Sequence, residues 1–173
     1  MANTGKRLKL DGVHIRKRNF RGERVKYNDR GNRTCLLILD KEQAEKAGFK
    51  TIADFVDHLR SEDWKVGFFP LRDDEEEPDA FMQVNAVYNE YEHPNIYLKN
   101  SRGSVLLDEE TVGEIDYADI ANVDCILYLN YWKYDGSEGF NNRIKSMEVT
   151  ILEDEITYRN SRFNVDDEDD LPF

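Results

Sequence analysis

Histidine and cysteine are scarce in this sequence, and their scarcity removes whole classes of chemistry. Three histidines and two cysteines in 173 residues are too few and too scattered for a structural zinc site, which needs four nitrogen or sulfur ligands at close spacing. His14, His58 and His93 stand alone. There is no serine elbow, no phosphate-binding glycine loop and no paired-histidine motif, so nucleophilic, nucleotide-dependent and zinc-peptidase activities are not expected. Acids such as Asp108, Glu109, Glu110 and Asp116 could hold a metal for a nuclease. In so acidic a chain their coincidence carries no information, and an enzyme is not expected. No apolar run is long enough to cross a bilayer, and no apolar stretch follows the basic start as in a secretory leader. The expectations are a soluble, reducing, intracellular setting, no membrane contact and no cofactor. Cys35 and Cys125 each sit in an apolar run, where a buried free thiol is the natural state.

Positive charge is also in deficit. The chain has 24 Lys and Arg against 36 Asp and Glu, a net charge of -12. The deficit is uneven. Lys6 to Arg33 holds eleven Lys or Arg against three acids, a balance of +8 that leaves -20 for the remainder. A whole-chain charge therefore says little about any one surface. The acids concentrate in a loop, Arg72–Asp79, and at the end of the chain.

The apolar pattern is that of strands. Thr34–Leu39 is a short, nearly continuous apolar run bounded by turn residues, as in a central strand. Val13–Asn28 reads as a bent strand. Trp64–Leu71, Phe81–Tyr88, Asn95–Lys99, Val105–Leu107, Val123–Tyr134 and Phe140–Leu152 follow as strands, and Asp135-Gly136 is a hairpin signal. Lys41–Ala47 predicts a short helix ended by Gly48. Thr51 caps a second helix with Ile52, Phe55, Val56 and Leu59 at helical spacing and Asp54 three residues on. A helical turn is expected at Asp108–Gly113. Without a βαβ rhythm, the prediction is a mostly β, antiparallel barrel or sandwich of Greek-key type, with a helix inserted early. Residues 1–12 are expected to be a mobile basic arm, 13–155 a folded domain and 156–173 a disordered acidic tail.

Cations beside flat side chains are what single-stranded nucleic acid requires: a track for phosphates and rings for bases. Arg16, Lys17 and Arg18 are consecutive, so a strand sends them to both faces. Phe20 and Tyr27 interleave with Arg21, Arg24 and Lys26, and Arg30 and Arg33 follow. Phe20 could equally be a core residue. On the aromatic strand, Trp132 and Tyr131 point to opposite faces, and either could be a stacking platform. Lys133, Arg143 and Lys145 could extend the track, and Arg102, in a glycine-flanked turn, could reach a phosphate.

The last residues read Asp166, Asp167, Glu168, Asp169, Asp170, Leu171, Pro172 and Phe173. Five adjacent carboxylates repel each other and resist burial. Leucine and phenylalanine can enter a pocket, with the acids held by basic residues around it. DDEDDLPF resembles the acidic tip of bacterial single-stranded DNA-binding proteins. The resemblance implies recruitment of replication, repair and recombination proteins, and competition with DNA for the binding groove. The body is similar to a family of bacteriophage single-stranded DNA-binding proteins, through DEETVGEIDYADIANVD (Asp108–Asp124), the preceding YLKNSRGSVLL, and the Tyr131-Trp132 strand leading to GFNNRIKSMEVTI (Gly139–Ile151). It is nearer the phage T7 type than the bacterial one. That likeness implies an oligonucleotide-binding (OB) barrel with helical additions, binding without sequence preference, and a setting in the bacterial host cytoplasm. An antiparallel edge or the aromatic strand could build a homodimer. The competing reading is an acidic interaction module or DNA mimic that binds no DNA. The +8 segment argues against it.

Overall fold

The computed structural model describes residues 2–26, 28 and 30–153. Its longest elements come from the longest apolar-aromatic stretch. The chain forms β1 (Ala2–Leu10), β2 (His14–Asn19), β3 (Arg33–Leu39), α1 (Lys41–Lys46), α2 (Ile52–Ser61), β4 (Gly67–Phe68), β5 (Ala80–Ala86), β6 (Asn95–Asn100), β7 (Gly103–Leu107), β8 (Ile120–Tyr134) and β9 (Ser137–Ile151), with a 3-10 helix at Val112–Tyr117. β8 and β9 make one long hairpin. Its turn residues Asp135 and Gly136 have φ of 49° and 80°, the positive values that a two-residue turn needs to match strand twist. The expected strand at Trp64–Leu71 shrinks to Gly67–Phe68, and the helical turn expected at Asp108–Gly113 lies at Val112–Tyr117.

The strands run in the order β1-β8-β9-β5-β3-β2, with β4 on β5, and β6 between β9 and β7. This path is open. Its ends, β1 and β2, are consecutive pieces of chain that pair with β8 and β3 respectively. They do not pair with each other, so the sheet is not closed into a barrel and the expected OB barrel is corrected to an open, mostly antiparallel sheet. The reason lies at Asp11–Val13. Gly12, with φ of 60°, turns the chain there. One backbone bond, Val13 N to Val123 O at 2.9 Å, follows in place of a ladder. Two parallel pairings, β5 with β9 and β6 with β9, complete the topology.

The first residues also differ from expectation. Residues 2–10, read from their cations as an arm, form β1, with Leu8 opposite Leu127 and Leu10 opposite Cys125. Leu10 is buried and Leu8 packs against the core. Two leucines suffice because β8 offers a free edge to pair with.

Alternation builds the core. On β5, Ala80, Met82, Val84 and Ala86 are buried, while Phe81, Gln83 and Asn85 face outward. α2 packs Ile52, Phe55, Val56 and Leu59 against the same core, each side chain contributing about 1.5–3 kcal/mol. Thr51 accepts from Asp54 N at 3.0 Å as its cap. Glu77, from the acidic loop, accepts from Ile52 N at 3.1 Å, so one of those acids serves the N-terminus of α2.

One irregularity shapes the outer face. β5 and β9 meet at a single pair, Asn85 with Arg143. Beyond it, the buried Asn142 bridges the strands. Its Nδ2 donates to Lys65 O at 2.8 Å and Gln83 O at 3.1 Å, and its Oδ1 accepts from Lys65 N at 3.1 Å. This wedge leaves a cleft between the two strands.

Candidate nucleic-acid interface

The cleft is the middle of a longer surface track. At one end lies an open groove of about 960 Å³ whose walls include Arg30, Asn32, Trp132, Lys133, Tyr134 and Arg143. Asn85 and Asn141 line both this groove and the next hollow, which adds Lys65, Gly67, Phe81 and Gln83. Phe81 leads on to Phe69, their ring centroids 4.8 Å apart and tilted at 48°. The Arg16 guanidinium stands 5.7 Å from the Phe69 centroid. Cation, ring, neutral amides, ring and cation thus follow one another. Among the described residues that line these hollows, the carboxylates are Asp135 at one end and Glu75 and Asp79 at the other.

The sheet register explains the convergence. Arg16 opposes Leu36, which opposes Gln83. Asn85 opposes Arg143, and Trp132 opposes Gly139. Residues far apart in sequence thereby share one face, while Lys133 alternates with Trp132, lies opposite Glu138 and lines the groove near the hairpin turn. The chemistry fits a polyanion carrying flat bases: cations for phosphate, ring faces for stacking and amides able to donate or accept at any base edge.

The predicted site residues divide. Arg16, Arg30, Trp132, Lys133 and Arg143 come together on the track. Arg143 is no free cation, because its guanidinium is paired with Glu92, which also accepts from the Tyr128 hydroxyl. Burial, and then that carboxylate, push the Tyr128 pKa up. Phe20 is fully buried and is a core residue, so it cannot stack on a base. Arg18 is tied down, its Nη1 donating to Ile115 O and Ala118 O at 2.7 Å each. Arg21 pairs with Glu23 and lies over Tyr117 at 5.2 Å. Arg33 donates to Glu109 O at 3.1 Å and lies over Tyr88 at 5.8 Å.

Lys17 is exposed at a bulge with φ of 51°. Arg24 and Lys26 are exposed beside it in sequence, in the turn region after β2. Arg102 is exposed in the β6–β7 turn and Lys145 on β9, and neither lines the groove. Tyr131 is on the opposite face from Trp132, packed on Phe140 at 5.6 Å with its hydroxyl on Glu138. Tyr27 and the whole tail, Asp166 to Phe173, lie outside the described residues.

Sequence reasoning missed Phe69, Phe81, Lys65, Asn85, Asn141 and the 80% exposed Tyr134. The alternation along Phe81–Tyr88 carried a signal for two of them, since it placed Phe81 and Asn85 opposite the core-facing set. One His-carboxylate grouping occurs among the described residues, His14, Asp40 and Glu42. Asp40 caps α1 through Gln43 N, and Glu42 pairs with Lys46 at 3.3 Å. No helix among the described residues is long and apolar enough to cross a membrane.

No curated protein matches the sequence. Among solved structures, the single-stranded DNA-binding protein from bacteriophage Enc34 matches with a TM-score of 0.52 at 11% identity, over 87% of this chain and 84% of that one. The same protein in complex with ssDNA matches with a TM-score of 0.50 at 12% identity, over 87% and 89%, and its C-terminal truncation with 0.51 at 11%, over 87% and 89%. At such identities the likeness concerns the fold. The family described as "Putative phage ssDNA-binding domain" matches residues 2–172, and this chain belongs to that phage single-stranded DNA-binding family.

Proposed function

We propose that the track from Arg16 through Phe81, Asn85 and Asn141 to Trp132 and Lys133 is where this protein holds single-stranded DNA. The carrying observation is convergence: Arg30, Trp132 and Lys133, a hundred residues apart, line one groove. Phe81 and Trp132 stack on bases, while Arg16, Arg30, Lys65 and Lys133 meet phosphates. Flat rings and neutral amides accept every base, which supports binding without sequence preference. The function is coating of single strands during phage DNA replication and recombination, in the host cytoplasm.

The tail 156–173 completes the proposal. Asp166–Asp170 imitate a run of phosphates and compete for the cations of the track. Leu171, Pro172 and Phe173 dock partner proteins. The exposed β7 edge, with Val105 and Leu106 open to solvent, supports pairing with a second copy.

The test is titration of a labelled oligo(dT) with the full chain, with a chain lacking residues 165–173 and with Trp132→Ala. Tail removal tightens binding and Trp132→Ala weakens it. If neither wild type nor the tail-less chain binds at low salt, the reading fails.

A further inference from the structure

We infer that Gly67 and Gly139 are positioning residues, whose missing side chains form the seats on which the two base-stacking rings lie. The inference rests on the single-strand reading above. Gly139 is the direct cross-strand partner of Trp132, and Gly67 of Phe81. A Cβ on Gly139 would stand 2.8 Å from Trp132 Cζ2 and 3.0 Å from Cε2 and Nε1. A Cβ on Gly67 would stand 2.7 Å from Phe81 Cζ and 3.1 and 3.2 Å from Cε1 and Cε2. Contacts below 3.0 Å are essentially never seen for a real Cβ. Each indole or phenyl ring therefore occupies the space of the absent side chain.

The backbone does not ask for glycine at either place. Gly12 and Gly136 have φ of 60° and 80°, where glycine relieves strain. Gly67 and Gly139 are not in that region. Glycine inside a strand weakens it and marks a close approach of another group, and here that group is the ring above. The arrangement occurs twice along the track, with Phe81 lining the hollow on the β4–β5 side and Trp132 lining the adjoining groove on the β8–β9 side. Both rings are half-buried. Each rests on its glycine and lines its own hollow of the track. A methyl group at either seat would lift or tilt the ring and spoil the flat surface a base needs.

The experiment uses the full chain carrying Trp64→Phe. The sequence has two tryptophans, so Trp132 then reports alone. Oligo(dT) affinity is measured by anisotropy of a labelled strand, and ring contact by quenching of tryptophan emission. Trp132→Ala and Gly139→Ala should each weaken binding about tenfold. Gly139→Ala should also lose most of the quenching while its thermal midpoint stays within a few degrees. The double variant Trp132→Ala/Gly139→Ala should bind no worse than Trp132→Ala alone, because the glycine acts through the ring.

Wild-type affinity for Gly139→Ala, beside a weakened Trp132→Ala, overturns the seat and leaves the groove standing. A further tenfold loss in the double variant overturns it too, since the glycine then acts through the strand. Wild-type affinity for both Trp132→Ala and Phe81→Ala sinks the stacking reading and the seats together. Should Gly139→Ala fail to fold, the Gly67→Ala and Phe81→Ala cycle across the β4–β5 pair decides by the same criteria.

Discussion

Salt dependence gives the sharpest quantitative test of the track. Arg16, Arg30, Lys65 and Lys133 are exposed, and none is held in an ion pair among the described residues. Arg143 adds no phosphate contact, because Glu92 already neutralises it. Four phosphate contacts on a single strand release counterions with a slope of about -0.7 each, so log affinity against log salt should fall with a slope near -2.8. Raising NaCl from about 50 to about 200 mM then weakens binding roughly 50-fold. Lys133→Ala removes one contact and should reduce the slope to about -2.1, or roughly 18-fold over the same range. The assay is anisotropy of a labelled oligo(dT) at four or more salt concentrations, with the tail removed so that its own screened competition does not enter. A slope near zero would refute the electrostatic track. An unchanged slope in Lys133→Ala would refute this residue's place on it.

Other outcomes follow from single environments. Glu92→Gln removes the charge of a carboxylate paired with a nearly buried guanidinium, and urea unfolding should show a loss of about 2 kcal/mol. Leu127→Ala, at a fully buried position of β8, should cost about 2–5 kcal/mol in the same assay. Burial pushes the Cys35 thiol up from 9.0 to about 12, and Cys125 is raised by burial as well. The unfolded thiol releases its proton at a lower pH than the folded one. Stability is therefore intact below pH 9.0 and is lost as pH rises towards about 12. Melting curves should show the thermal midpoint falling across that window, with a shallower fall in Cys35→Ala. Thiol-reactive reagents at neutral pH should label neither cysteine until the chain unfolds.

How far the sequence reaches is clearest on β5 and β8. Period-two alternation marked Met82, Val84 and Ala86 as one face, and the pleat makes that inference direct. Asp135-Gly136 announced the hairpin because few residue pairs accept two positive φ values. The two helices declared themselves through Gly48, Thr51 and the spacing of Ile52, Phe55, Val56 and Leu59, whereas the Asp40 cap of α1 came from the structure. Trp132 and Tyr131 were separable by parity, but the side on which solvent lay was not.

Cations misled more than apolar residues did. Lys6, Arg7 and Lys9 masked a strand that Leu8 and Leu10 anchor. The dense run from Arg16 to Arg33 looked like one patch. The structure spends Arg18 on carbonyls, Arg21 on Glu23 and Arg33 on Glu109. A charge count cannot tell a cation that holds the fold from one that faces solvent, because that depends on partners brought near by the chain's path.

The sequence by itself determined the strand-rich class, the helix caps, the long hairpin and the family resemblance. All of these depend on residues close together in the chain. Tertiary structure alone decided that the sheet stays open at Gly12, that Phe20 is core and that Arg30 and Lys133 line one groove. It also seated Trp132 and Phe81 on glycines. Those outcomes depend on cross-strand register, where a shift of one residue exchanges the two faces of a strand.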